Sequence, residues 1–298
     1  MAGLRGWISS LRLPTLLLSL GAASLVYYLA RYEGRFDAWG FVGYALTIVL
    51  LQVLSNLAND LGDADHGADM ERVGPRRGIH EGLLTPHQLK RGVQVVAGLA
   101  FVVGTLTVMI SPVPWSGKGI LLALGIAAIW AAQAYTRGRR PYGYRGLGDV
   151  AVFIFFGILA VAGGFYLVTG IFRPVHLWIA AAYGLLNVAV LNLNNLRDIE
   201  TDRASGKRTL ATMLGRRGTI AYHLFLFAAA IALHAVWGTE IYHHKRQFYS
   251  LFYGLIFFYH WGFVVKACTP QRMVFMLKQL LLSVFIYAHV VGLSLFIQ

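Results

Sequence analysis

The sequence predicts an all-α, polytopic membrane protein of about nine transmembrane helices. Three observations carry that prediction. Apolar residues make up 57% of the chain and charged residues only 13%, against about 25% charged in ordinary soluble domains. The mean hydropathy is +0.59. Apolar stretches of about twenty residues, long enough to cross a bilayer as a helix, recur from one end of the chain to the other. Alternating segments of about ten residues, which a membrane barrel requires, do not occur.

The spans follow in order. The first, 13–32, is full length and lacks a small-residue cleavage site, so it reads as a membrane helix and not as a cleavable signal. The second, 39–58, runs without a charge from Trp39 to Leu57 and ends in a cluster of acids. Spans at 91–110, 118–136 and 176–196 are interrupted toward their edges by Gly, Ser and Pro. The spans at 148–170, 218–238, 249–268 and 276–297 stand on hydrophobicity alone. Trp7, Trp39, Trp115, Trp178 and Trp237 fall near span ends, as an interfacial belt would. Gly98, Gly104, Gly157, Gly163 and Gly164 lie inside spans, where small residues let helices approach closely.

The net charge of +13 raises nucleic acid as a partner, and its placement excludes it. The bases sit in short loops between spans. Of the 26 Lys and Arg, only Arg31, Arg35, Lys118, Arg173, Lys245 and Arg246 fall on one side of the membrane; the rest share the side of the N-terminus. An excess of Lys and Arg marks cytoplasmic loops, so the N-terminus is expected inside and, with nine spans, the C-terminus outside. The single cysteine, Cys268, rules out an intramolecular disulfide and reads as a small buried hydrophobe.

Two acidic stretches interrupt this pattern. Asn56-Leu57-Ala58-Asn59-Asp60-Leu61-Gly62-Asp63 leads on to Asp65 and Asp69, and Asn194-Asn195-Leu196-Arg197-Asp198 leads on to Asp202. Asn56, Asp60 and Asp63 stand at i, i+4 and i+7, so a helix turns all three to one side. Asn194 and Asp198 repeat the Asn-x-x-x-Asp ending, and each stretch runs into a basic loop, 72–77 or 203–208. Acids gather at the mouth of a membrane helix when something cationic sits among them. Carboxylate oxygens suit Mg²⁺, which shares its coordination with substrate phosphates, and Arg and Lys bind phosphate by fork and by point charge. Acids that hold a metal, with bases around them, therefore suit a diphosphate. Asp65 and Glu200 fall off the shared face and read as solvated. The adjacent His243 and His244 lie in an outer loop and read as surface, and His66 reads the same way.

The paired aspartates resemble those of the UbiA superfamily of intramembrane prenyltransferases. Gly74-Pro75-Arg76-Arg77, Tyr135-Thr136, Pro141-Tyr142-Gly143-Tyr144-Arg145-Gly146-Leu147-Gly148-Asp149 and Gly206-Lys207-Arg208-Thr209-Leu210 resemble the branch that prenylates 1,4-dihydroxy-2-naphthoate in menaquinone synthesis. The resemblance runs from about residue 5 to residue 290. Asp69 follows Asp63 at the longer spacing usual in that branch, and Arg137 to Arg140 carry more Arg than the family's turn.

The resemblance implies a UbiA-type bundle around a central cavity, one domain of two pseudo-repeated halves, about 1–145 and 146–298. It implies Mg²⁺ on Asp60, Asp63, Asp198 and Asp202, and a polyprenyl diphosphate held by Arg72, Arg77, Lys207 and Arg145, with Asn56 and Asn194 alongside. Tyr135, Tyr142 and Tyr144 are the aromatics nearest the basic loops. A π-rich wall steadies an allylic cation, and Tyr135 is the candidate for it. The acceptor's ring carbon attacks, its carboxylate leaves as CO₂, and Asp198 and Asp69 are both candidates to take the phenolic proton. Arg145 and Arg137 are candidates for the acceptor carboxylate. The nearest rival keeps the chemistry and changes the acceptor, for example to 4-hydroxybenzoate. A secondary transporter of an anionic metabolite is the rival from another class. Transporter sites lie near the bilayer midplane, whereas these acids and bases collect at span ends on the expected cytoplasmic side.

Overall fold

The computed structural model describes residues 2–65, 78–79, 81–138, 141–267 and 269–297. In chain order the helices are α1 (Ala2–Leu11), α2 (Leu16–Tyr32), α3 (Ala38–Asp65), α4 (Pro86–Ile110) and α5 (Trp115–Ala134). Then come α6 (Gly148–Val152), a π-helical stretch (Phe153–Gly163) and α7 (Gly164–Thr169), which together form one span. They are followed by α8 (His176–Arg197), α9 (Ile199–Ala204) and α10 (Leu210–Ile241). Last are α11 (Tyr249–Tyr253), α12 (Leu255–Lys266) and α13 (Pro270–Ser294).

Among the described residues, 8 spans are long and apolar enough to cross a membrane. The predicted span 249–268 is present in two pieces, α11 and α12, separated by a turn at Gly254. A Cβ at Gly254 would press on Ile231 Cγ1 at 2.9 Å, so this break packs tightly against α10. Cys268 lies outside the described residues. The start of α4 is set by its cap. The Thr85 hydroxyl accepts from the Gln88 amide, the Thr85 amide donates back to Gln88, and Pro86 takes the first helical position. That capping box starts α4 five residues before the apolar run begins.

Helix α8 is the axis of the bundle. Ile179, Tyr183, Leu186, Leu193 and Leu196 are buried along its length, and α10, α13 and the π-helical stretch all pack on it. Helix α2 joins the same core through Leu18, Leu25 and Leu29, while α3 and α4 share a separate core built on Leu54, Leu57, Leu61, Leu89 and Val93. Between these two cores lies an apolar cavity of about 320 Å³, within the usual range for small-molecule sites. Tyr44, Phe155, Phe156, Leu159 and Leu167 line its depth, and the acidic stretches lie at one end.

Candidate active site

Helix α3 does not stop where its hydrophobicity stops. It runs on through Asp65 and delivers Asn56, Asn59, Asp60 and Asp63 at the cavity end as continuous helix. Gly62 permits this. A Cβ there would meet Thr136 Cβ at 2.6 Å and the Thr136 carbonyl at 2.6 Å, so only glycine lets α3 lie against the end of α5. Thr136 closes the contact by donating to the Ala58 carbonyl at 3.0 Å.

Helix α8 behaves differently. It breaks at Asp198 (φ −96°, ψ 10°) and restarts as α9. The Asp198 carbonyl accepts from the Asp202 amide at 2.8 Å and from the Thr201 hydroxyl at 2.9 Å. After α9 the Lys207 amide donates to the Asp202 carbonyl at 2.8 Å. This turn folds Lys207 back over the acids.

Four carboxylates are thereby held in low-exposure positions: Asp60 at 0%, Asp63 at 5%, Asp198 at 7% and Asp202 at 7%. Each is next to a cation, as buried charge requires. Arg12 forks Asp60, donating from Nη2 and, at 3.2 Å, from Nε. Arg197 forks Asp198 with Nε to Oδ1 at 2.7 Å and Nη2 to Oδ2 at 2.6 Å. Lys207 Nζ lies between the other two, 3.5 Å from Asp63 Oδ1 and 3.8 Å from Asp202 Oδ1. One ammonium within 4 Å of both acids places the two stretches at a single site.

The sequence-predicted residues divide accordingly. Asp63, Asp198, Asp202, Lys207, Tyr135, Asn56 and Asn194 line the cavity. Asp60, on the same side of α3, pairs with Arg12 and is not among the residues that line the cavity. Asn56 donates to the Leu11 carbonyl and the Thr15 hydroxyl, both at 2.9 Å, and accepts from Gln52 at 3.3 Å. These bonds pin the turn that carries Arg12. Asn194 accepts from Arg197 at 2.9 Å. Both asparagines thus serve the arginines that hold the acids. The Arg145 side chain is exposed and does not form part of the cavity wall; its backbone bridges to Arg208. Asp69, Arg72 and Arg77 lie outside the described residues, as do His66, Arg139 and Arg140. Arg137 is described and donates to Gln133.

The tyrosines separate by what their hydroxyls reach. Tyr142 donates to the Ala131 carbonyl at 2.8 Å, and burial pushes its hydroxyl up to about 12. Tyr135 meets Tyr142 edge to face at 5.3 Å. Its hydroxyl is raised further, first by burial and then by Asp149, Tyr142, Asp63 and Asp202. Near neutral pH both rings stay uncharged and offer π surface. Tyr144 reaches an acid: it donates to Asp63 Oδ1 at 2.9 Å. Sequence reasoning missed Arg12, Arg197 and this bond of Tyr144. Arg197 had a local signal, its position beside Asp198; Arg12 had none beyond its charge.

No three of the described His, Cys, Asp and Glu side chains converge closely enough to cage an ion alone. Oxygen donors from two acid pairs fit Mg²⁺ chemistry nonetheless, since that ion uses one or two carboxylates and takes the rest from water and phosphate.

The sequence from residue 17 to residue 295 matches the UbiA prenyltransferase family. The chain belongs to this family. It is 41% identical over 244 residues to the 1,4-dihydroxy-2-naphthoate octaprenyltransferase of Escherichia coli K12, covering 78% of this chain and 79% of that one. The Haemophilus influenzae protein of the same name is 44% identical over 219 residues, covering 73% and 71%. Among solved structures, the apo UbiA homologue from Aeropyrum pernix K1 superposes with a TM-score of 0.72 at 21% identity, covering 93% of this chain and 96% of that one. A UbiA homologue from Archaeoglobus fulgidus bound to DMAPP and Mg²⁺ superposes with a TM-score of 0.65 at 15% identity, covering 96% and 99%. The UbiA fold is therefore the fold of this multi-pass membrane protein.

Proposed function

We propose that the protein transfers a polyprenyl group from polyprenyl diphosphate to 1,4-dihydroxy-2-naphthoate, releasing diphosphate and CO₂ and giving demethylmenaquinol. The observation that carries this reading is Lys207 bridging the acids of both stretches at the end of an apolar cavity, in a chain 41% identical to an enzyme of that name.

The residues divide the work. Asp63 and Asp202 at the cavity wall, with Asp60 and Asp198 beside them, would hold Mg²⁺. When bound, the ion supplies positive charge against the diphosphate, which eases departure of the leaving group. Lys207 and Arg12 line the same end and meet the phosphate oxygens, and Arg72 and Arg77 are assigned to the same task. Their preorganised charge favours the transition state, where negative charge builds on the bridging oxygen as the C–O bond breaks. Tyr135 and Tyr142 form a neutral aromatic wall for the allylic cation. Asp198, whose two oxygens accept from Arg197, and Asp69 are the two candidates to accept the phenolic proton. The acceptor ring carbon then bonds to the prenyl carbon, and C–C cleavage expels CO₂. The prenyl tail lies in the apolar depth of the cavity, between Phe155, Phe156 and Leu159. We place the acidic site and the N-terminus on the cytoplasmic side and the C-terminus outside, on the distribution of Lys and Arg. The two halves, about 1–145 and 146–298, each supply one acidic stretch.

Purified protein in detergent, given polyprenyl diphosphate, Mg²⁺ and either 1,4-dihydroxy-2-naphthoate or 4-hydroxybenzoate, tests the reading. Diphosphate and CO₂ should appear together only with the naphthoate and vanish with EDTA. Diphosphate release only with the benzoate would overturn the acceptor, and no release with either would overturn the reaction.

A further inference from the structure

We infer that Tyr144 is a positioning residue of the diphosphate site: its hydroxyl orients Asp63 toward the metal, and its ring holds Lys207 between the two acidic stretches. This rests on the metal-dependent reading above and adds to it a residue and two separable contacts.

Tyr144 touches both charged partners. Its hydroxyl donates to Asp63 Oδ1 at 2.9 Å, and Lys207 Nζ lies 4.6 Å from the centre of its ring. Its backbone carbonyl accepts from the Arg208 amide at 3.1 Å. One residue therefore joins α3, which carries Asp63, to the turn that carries Lys207. The hydroxyl occupies an acceptor direction of Oδ1 and so fixes the rotation of the carboxylate, as hydrogen bonds behind metal-binding groups generally do. The ring face attracts an ammonium, which restricts a side chain whose four-carbon stem is otherwise flexible.

The local fold aims this one tyrosine at the acids. The Gly143 amide donates to the Tyr135 carbonyl at 2.9 Å, and the Tyr142 hydroxyl anchors on Ala131 at 2.8 Å. A Cβ at Gly143 would meet that carbonyl at 2.7 Å and the Tyr135 ring at 2.8 Å. Glycine is thus what lets the Tyr142–Tyr144 turn seat on the end of α5 and face Tyr144 toward α3. Tyr142 and Tyr144 have the same side chain on the same turn, and only Tyr144 donates to an acid.

The two contacts predict different losses. Tyr144→Phe removes the bond to Asp63 and keeps the ring over Lys207. Its Mn²⁺ affinity, read by electron paramagnetic resonance on detergent-purified protein with no substrate present, should fall about tenfold, the lower end for groups behind metal ligands. The Mg²⁺ giving half-maximal diphosphate release should rise in parallel, with the rate at saturating Mg²⁺ within about threefold of wild type and the unfolding temperature lower by a few degrees. Tyr144→Leu should add a rise in KM for polyprenyl diphosphate. Metal affinity is taken on the monodisperse fraction from size exclusion, so a loss of yield does not enter the result. Superimposed Mn²⁺ titrations for wild type and Tyr144→Phe would overturn the inference while leaving the proposed reaction standing. Failure of the wild-type protein to bind Mn²⁺ without substrate would likewise overturn the inference, while the proposed reaction stands or falls on its own assay of diphosphate and CO₂ release.

Discussion

Arg12→Gln is the most informative single change. Asp60 is fully buried, and Arg12 holds it with a two-nitrogen fork. Removing one partner of a buried pair costs about 3–5 kcal/mol because it leaves a desolvated charge. The Arg12 side chain is 23% exposed, so water softens the loss and the lower figure, about 3 kcal/mol, is appropriate. For a chain this size each kcal/mol lowers the unfolding temperature by about 2–4 °C. Arg12→Gln should therefore unfold roughly 6–12 °C earlier in detergent. The backbone indicates how firmly this residue is placed: Arg12 is the one described non-glycine residue with positive φ, at 49°. Such a conformation persists where the surroundings over-determine it, and here Asn56 pins both sides of the turn. The double variant Arg12→Gln/Asp60→Asn removes the buried charge as well. It should recover most of the lost temperature while remaining inactive, a coupling that a double-mutant cycle measures directly. If the double variant is no more stable than Arg12→Gln, the destabilisation does not come from the buried Asp60 charge, and the pairing argument fails.

Lys207→Met should raise KM for polyprenyl diphosphate at least about tenfold, because a hydrogen-bonded charge between buried partners is worth roughly 1.5–3 kcal/mol; an unchanged KM in a steady-state titration removes Lys207 from the diphosphate site. Gly143→Ala forces a methyl into the Tyr135 carbonyl and ring, which should cost about 1–3 kcal/mol and lower turnover, both read on one preparation by thermal shift and diphosphate release. Trp237→Phe acts far from the acids. It deletes the buried 3.2 Å bond from Trp237 Nε1 to His176 and should cost about 1 kcal/mol, visible as an earlier melt with both KM values unchanged.

Much of the membrane architecture is legible from hydrophobicity, because a bilayer allows few alternatives to a helix of fixed length. The breaks are not. Around Gly254 in 249–268 the flanking residues are as apolar as those of an uninterrupted span, so the glycine is the one sequence mark of the turn, and a Cβ there would press on Ile231. The π-helical stretch at Phe153–Gly163 is silent in sequence; there the Ala160 carbonyl accepts from Tyr44 at 2.5 Å. At the site, spacing finds the acids and does not find what they face. The i, i+4, i+7 pattern places Asn56, Asp60 and Asp63 on one side of α3, and that side is wide enough for Asp60 to turn to Arg12 while Asp63 turns to Lys207 and Tyr144. Partners 48 and 144 residues away in sequence leave no local trace.

The two stretches reach the same electrostatic end by different routes, which bears on how the site works. Asp60 and Asp198 occupy matching positions, four residues after an asparagine, and each carries an arginine fork. On α3 the arginine comes from a separate turn, 48 residues away; on α8 it is the neighbouring residue, and the helix breaks there. In both, the asparagine braces the arginine side: Asn56 pins the turn that bears Arg12, and Asn194 accepts directly from Arg197. A four-residue spacing thus places a brace beneath each first acid, and the second acids, Asp63 and Asp202, are left to meet across Lys207. Among the described residues, the first acids carry guanidinium forks and the second acids share the Lys207 ammonium. A diphosphate entering the site meets this ammonium, which the Tyr144 ring holds between the acids. Substitution of Lys207 should therefore disturb diphosphate binding more than stability, while substitution of Arg12 or Arg197 should do the reverse.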